Sequence, residues 1–156
     1  MLFSSLTFLY YFLPLTLIFY LIVPKHMKNG TLLIASLIFY AWGEPKYVLL
    51  MMVSIIVGYI AGRLIETFYD KRYSKYILAA AILIHLGCFV YFKYTDFILE
   101  NMNRWIGTEF SMIKIVLPIG ISFYTFQILS YVVDVYRKDV EVEKNIINFG
   151  AYVVLF

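Results

Sequence analysis

Six stretches of the chain carry no Asp, Glu, Lys or Arg: residues 1–24, 29–43, 47–62, 76–92, 115–133 and 145–156. Each is mostly apolar, and short polar clusters separate them. A helix that crosses a hydrocarbon core needs about 20 mostly apolar residues, with a range of roughly 17–25. Charged side chains at its ends lengthen a short run by snorkelling to the interface. The pattern therefore predicts an all-α, polytopic transmembrane bundle, with spanning helices over about 3–24, 29–43, 46–66, 76–93 and 115–136. A sixth helix starts at 145 and is cut off at 156. At 1.5 Å per residue its 12 residues reach only about 18 Å, so the reading is a truncated helix. Lys25, His26 and Lys28 close the first run, and Gly43-Glu44-Pro45 ends the second. Pro14 is expected to kink the first helix, because proline frees a carbonyl one turn back.

Between the fourth and fifth runs the pattern changes. From Asp96 to Ile113, the apolar Phe97, Ile98, Met102, Trp105, Ile106 and Ile113 alternate with Glu100, Asn101, Asn103, Arg104 and Glu109. Spacings of three, four and seven put the first five of these apolar residues on one helical face. The expectation is a separate amphipathic helix lying in the outer interface with Trp105 at headgroup depth, against a plain solvated loop.

Orientation follows from the basic residues. With the N-terminus outside, the inner loops hold Lys25, Lys28, Arg63, Lys71, Arg72, Lys75, Arg137, Lys138 and Lys144, and the outer loops Lys46, Lys93, Arg104 and Lys114. Nine against four favours an extracytoplasmic N-terminus in a multi-pass cell-membrane protein. A re-entrant or interfacial second helix would reverse everything after it.

Composition agrees with the pattern. The chain is 63% hydrophobic and 15% charged, with a mean hydropathy of +0.82, whereas soluble domains average roughly 45–50% and 25%. A cleaved signal peptide does not fit, because nothing basic precedes Lys25 and no small-residue cleavage site follows the first run. A net charge of +3 with no long basic block gives no reason to expect nucleic acid. The single Cys88 lies in an apolar run, excludes an internal disulfide and offers no metal site.

Polar groups inside apolar runs need partners. His85 reads either as a proton relay or as a neutral imidazole bonded to a backbone carbonyl of a neighbouring helix, and the absence of a carboxylate nearby in sequence favours the second. His26 reads as a loop residue. Gly58 and Gly62 form a small-x-x-x-small pair that lets two helices approach closely. Helix 5 is the most polar: after Pro118 and Gly120, which break or bend its first turn, come Ser122, Thr125, Gln127 and Ser130. Ser122, Thr125 and Ser130 share one sector, while Tyr124, Gln127 and Tyr131 form a second stripe. Such a helix suits a bundle interior or a substrate path; the plainer account is interhelical hydrogen bonding, at about 0.6 kcal/mol per bond. The interior candidates are Ser122, Tyr124, Gln127 and Asp134.

The string from Leu117 to Arg137, LPIGISFYTFQILSYVVDVYR, resembles a signature of the membrane-bound O-acyltransferase (MBOAT) family, closest to its bacterial branch of alginate O-acetyltransferase type. Ser36 to Gly43 followed by Pro45-Lys46-Tyr47, and the opening Phe3-Ser4-Ser5 leading into Phe8, resemble the same branch. The resemblance implies that residues 1–156 are the N-terminal membrane-embedded portion of a larger acyltransferase domain. It implies a cytoplasmic thioester donor (acetyl-CoA or another acyl thioester), a hydroxyl acceptor on an exported polysaccharide, and an extracytoplasmic partner acyltransferase. It also implies a general-base histidine on a later helix beyond Phe156, which neither His26 nor His85 matches, so no catalytic residue is carried onto this chain. D-alanyl transfer to teichoic acid, a transporter or flippase subunit and an inactive truncated product are the competing readings.

Overall fold

The computed structural model describes residues 6–69, 72–106, 117–118 and 120–155. These residues fold into helices, with no strand among them. A π-helical turn, Phe8–Phe12, leads into α1 (Leu13–Ile22). Pro14 follows directly on this widened turn, in which Leu13 N–H donates to the Phe8 carbonyl. A 3₁₀ turn, Lys25–Met27, joins α1 to α2 (Lys28–Gly43), and Phe8 and Phe12 pack on Phe39 of α2 at 4.7 and 5.2 Å.

α3 (Val48–Thr67) is the axis of the fold, touching α2, α4, α5 and α6. Its two glycines face α5 (Ile121–Arg137): Gly58 lies against Ile128, and Gly62 against the Tyr131 ring. Removing the side chain is what lets the helices meet at this distance, as the sequence spacing foretells. Around this contact sits a core of Ile55, Ile65, Ile128, Val132, Val135 and Phe149.

α4 (Tyr73–Ile106) corrects two expectations at once. The spanning helix does not stop at 93, and residues 96–106 are not a separate helix lying flat in the interface; they continue α4 without a break. Residues 73–106 contain no proline, and their one glycine, Gly87, lies inside the apolar stretch. The exit from apolar sequence therefore marks a change of surroundings and not a helix end. Glu100 and Arg104 pair at 3.5 Å along the extension, and Trp105 is 85% exposed. The remainder of that expected segment, 107–113, lies outside the described residues.

α6 (Ile146–Val154) begins where Asn145 caps it, its side chain accepting from Ile147 N–H at 2.9 Å. Leu155 is already extended, and Phe156 lies outside the described residues. By length and composition, α3 and α4 are long and apolar enough to cross a membrane, whereas α1, α2 and α5 are shorter. Large apolar side chains such as Leu15, Ile18 and Ile22 of α1, Leu49 and Ile60 of α3 and Leu83 and Ile84 of α4 face outward. A surface so apolar belongs to a helical membrane protein.

Candidate functional site

α5 begins later than its hydropathy indicates. Gly120 stands ahead of the helix with φ 76°, and Pro118 and Gly120 form the turn that launches it: Ile121 N–H donates to Pro118 O and Tyr124 N–H to Gly120 O. A β-carbon at Gly120 would meet nothing within 4 Å, so its left-handed backbone, not crowding, accounts for the glycine. The helix therefore starts at Ile121, not 115; residues 115, 116 and 119 lie outside the described residues. At the other end Lys138 is also left-handed, φ 65°. Lys138 N–H donates to Val135 O and Asp139 N–H to Asp134 O, the paired bonds of a Schellman stop with lysine where glycine is usual.

Between these ends the polar side chains separate into two groups. Tyr124 and Thr125 are buried, facing the core. Ser122 is half-buried at the helix start. Gln127 is half-buried and reaches α6, donating from Nε2 to Tyr152 O at 2.7 Å. Asp134 is half-buried and accepts from Ser130 Oγ at 3.4 Å, while Ser130 itself is exposed. Tyr131 is a strut: its ring stacks 4.6 Å from Phe149, and its hydroxyl accepts from Glu143 N–H at 3.0 Å.

Of these, Tyr131 and Asp134 border a groove between α5 and α6. A cavity of about 330 Å³ there is lined by Tyr131, Asp134, Glu141, Glu143, Asn148 and Tyr152, among others. Three of its walls are carboxylates. Glu143 Oε1 is committed to Asn145 N–H at 2.9 Å and Asn148 Nδ2 at 3.4 Å, and Asn148 Oδ1 accepts from Asn29 Nδ2 at 2.9 Å. This polar chain ties α2 to the α5–α6 connection. A second cavity, about 430 Å³, opens on the far side of that connection beside Glu66, Tyr69, Lys138, Glu141 and Lys144.

Two tyrosines hold the connection down. Tyr59 Oη donates to Lys144 O at 2.7 Å and Tyr69 Oη to Val135 O at 2.9 Å, with the Lys138 ammonium 4.9 Å above the Tyr69 ring. Burial, then the nearby Glu66 carboxylate, pushes the Tyr69 phenol up from its ordinary range. None of Glu141, Glu143, Asn148 and Tyr152 is singled out by the sequence pattern. Their signal was faint: Asn148 and Tyr152 sit four apart on α6, the spacing of one helical face.

His85 is elsewhere, in the α3–α4 contact. It is 3% exposed, with Nδ1 2.8 Å from Ala81 O on its own helix and Nε2 3.2 Å from Ser54 O on α3. Both nitrogens face carbonyls, which gives the ring a cross-linking position. Cys88 is half-buried on the same helix.

The groove has hydrogen-bonding groups along a wall, and no nucleophile paired with a base is found among the described residues. Comparison with known proteins supplies the rest. The chain is 38% identical over 161 residues to the probable alginate O-acetylase AlgI of Pseudomonas aeruginosa, a match covering 100% of this chain and 31% of that protein. The corresponding protein of Azotobacter vinelandii is 37% identical over 161 residues, covering 100% and 32%. The peptidoglycan O-acetyltransferase of Helicobacter pylori is 32% identical over 144 residues, covering 89% and 27%. The chain thus spans about a third of the length of the curated relatives it matches. No family model matches it, and no solved structure is a significant match. Two relatives align along its whole length and a third along most of it, and the chain belongs to the membrane-bound O-acyltransferase family, in the branch that includes the alginate O-acetylases.

Proposed function

We propose that residues 1–156 form the N-terminal wall of a membrane-bound enzyme that moves an acetyl or related acyl group from a cytoplasmic thioester, acetyl-CoA in the simplest case, to a hydroxyl of an exported polysaccharide. The observation that carries this reading is the alignment of the whole chain with probable alginate O-acetylases. The peptidoglycan O-acetyltransferase relative supports the same chemistry on another glycan, so the acceptor class is a glycan hydroxyl. The groove that Tyr131 and Asp134 border supports a passage beside α5. The general base belongs to a histidine outside this segment, since both His85 nitrogens face carbonyls within the helix packing. In the same reading the N-terminus is extracytoplasmic, the remaining helices of the full-length enzyme close the groove, and a soluble extracytoplasmic acyltransferase receives or shares the acyl group.

The test is acyl transfer by the full-length enzyme in liposomes, with labelled acetyl-CoA on one face and alginate oligosaccharide on the other. Ester formation on the sugar is expected. Gln127→Leu is expected to cut the transfer rate about threefold or more while expression persists, because an apolar side chain removes the bond to Tyr152 that holds α5 to α6. Wild-type transfer by that variant leaves α5 as packing alone. No ester on any glycan tried refutes the enzymatic reading.

A further inference from the structure

The two cavities that flank the α5–α6 connection differ in charge. The groove of about 330 Å³ is lined by three carboxylates and, among the described residues, by no lysine or arginine. The cavity of about 430 Å³ on the other side has Lys138 and Lys144 in its wall, together with Glu66, Glu141 and Tyr69. Glu66 is already held by Arg63, whose guanidinium donates to its carboxylate at 2.8 Å. With Arg63, three cations stand against two carboxylates, and the wall carries a positive excess. Its volume falls within the roughly 300–1,000 Å³ of small-molecule pockets.

Lys138 stands in this wall against the preference of its backbone. It occupies the left-handed position of the Schellman stop, φ 65°, where glycine is unstrained and a side chain is not. Its ammonium lies 4.9 Å above the Tyr69 ring, which shares the wall. That ring is fixed in turn, because Tyr69 Oη donates to Val135 O at 2.9 Å. Lys144 is anchored through its own backbone, its carbonyl accepting from Tyr59 Oη at 2.7 Å. Two tyrosines of α3 thus hold both ends of the segment that carries the two lysines. A strained residue at a cavity points to a use for its side chain. Ammonium groups on a preset frame suit a phosphate, whose oxygens accept from both and whose charge exceeds that of a carboxylate.

We propose that Lys138 and Lys144, on the frame set by Tyr59 and Tyr69, form a phosphate-binding site in this cavity. In the orientation adopted above, this end of the bundle faces the cytoplasm, where phosphate esters come from two sources. One is the diphosphate of a coenzyme A thioester; this form deepens the acyltransferase reading and rests on it. The other is the headgroup of an inner-leaflet phospholipid, which does not need that reading.

The experiment uses the full-length enzyme in neutral detergent, with Lys138→Gly, Lys144→Gln and Glu141→Gln. Glycine suits the left-handed backbone at 138, so the thermal midpoint of that variant holds or rises and lost binding is not lost folding. Three quantities are read: the affinity for inorganic pyrophosphate by calorimetry, KM for acetyl-CoA, and phosphatidylglycerol retained in native mass spectra. A phosphate site weakens for pyrophosphate by roughly three- to tenfold in each lysine variant and tightens in Glu141→Gln. A purely structural role does not give these opposite signs. For the donor form, KM for acetyl-CoA moves with the pyrophosphate affinity while KM for the glycan holds. For the lipid form, KM for acetyl-CoA holds while retained lipid falls in the lysine variants and rises in Glu141→Gln. A wild-type enzyme that binds neither probe overturns the site. Unchanged binding of both probes in the lysine variants overturns it too, as do changes of one sign in all three variants. If the wild-type enzyme acetylates no glycan, the proposed function fails, and pyrophosphate binding and lipid retention still decide the site.

Discussion

Alanine at Gly58 tests whether the α3–α5 contact is as tight as its geometry. The added Cβ would lie 2.4 Å from Ile128 Cγ2, far inside van der Waals contact, and 3.4 Å from Phe149 Cζ. Ile128 cannot easily give way. It is fully buried, and a β-branched residue in a helix has essentially one χ1 well. Overpacking of this kind costs about 1–3 kcal/mol, and the helix propensity gained from Gly to Ala returns about 0.8–1.0 kcal/mol. The net expectation for Gly58→Ala is a loss of about 1–2 kcal/mol, read as a lowered thermal midpoint of the purified protein in detergent. Gly87→Ala is the matched control: a Cβ there meets nothing within 4 Å, so it should be neutral or slightly stabilising. The decisive arm is Gly58→Ala in an Ile128→Ala background, where the obstructing methyl is gone. There the alanine at 58 should cost nothing, a coupling of about 1–2 kcal/mol between the two positions. Equal effects of Gly58→Ala in the two backgrounds would refute the close-packing argument.

Two further outcomes follow from the connection and from the charge pattern. Tyr131→Phe removes the acceptor of Glu143 N–H, and should lower stability by about 1 kcal/mol while speeding proteolysis within 138–145; an unchanged cleavage rate would deny Tyr131 its role as a strut. In a Cys88→Ser background, an impermeant maleimide should label Lys46→Cys in intact cells and Lys138→Cys only after permeabilisation. The reverse order would put the N-terminus inside, and labelling of both from one side would deny an odd number of crossings between them.

The helices were legible in the sequence wherever a breaker and a change of hydropathy coincide. Gly43-Glu44-Pro45 does both, and α2 ends at Gly43 as the run predicts. At Lys93 only hydropathy changes. The helix runs on to Ile106, because water and membrane both accept an unbroken backbone that satisfies its own hydrogen bonds. Gly120 is the opposite case, where apolar sequence continues through a backbone turn and hides the true start of α5. The Gly58 and Gly62 contact was readable because four-residue spacing on one helix is local information. The groove was readable only from one side. Tyr131 and Asp134 stand out on α5, whereas Glu143, Asn148 and Tyr152 across from them are ordinary until the chain folds back, and no local pattern records that return.

The length of α4 has a mechanical consequence. Thirty-four residues at 1.5 Å each make a rod about 51 Å long, against about 30 Å of hydrocarbon. Phe89, which rests on Phe126 of α5, is the seventeenth of them and so lies at the rod's midpoint. The buried residues of α4, Ser74, Ala81, His85 and Phe89, all lie in its first half, and none from Lys93 to Trp105 is buried. The rod is therefore a beam clamped along one half and projecting over the other, so a load beside Trp105 is resisted along the whole clamped length and not at one pivot.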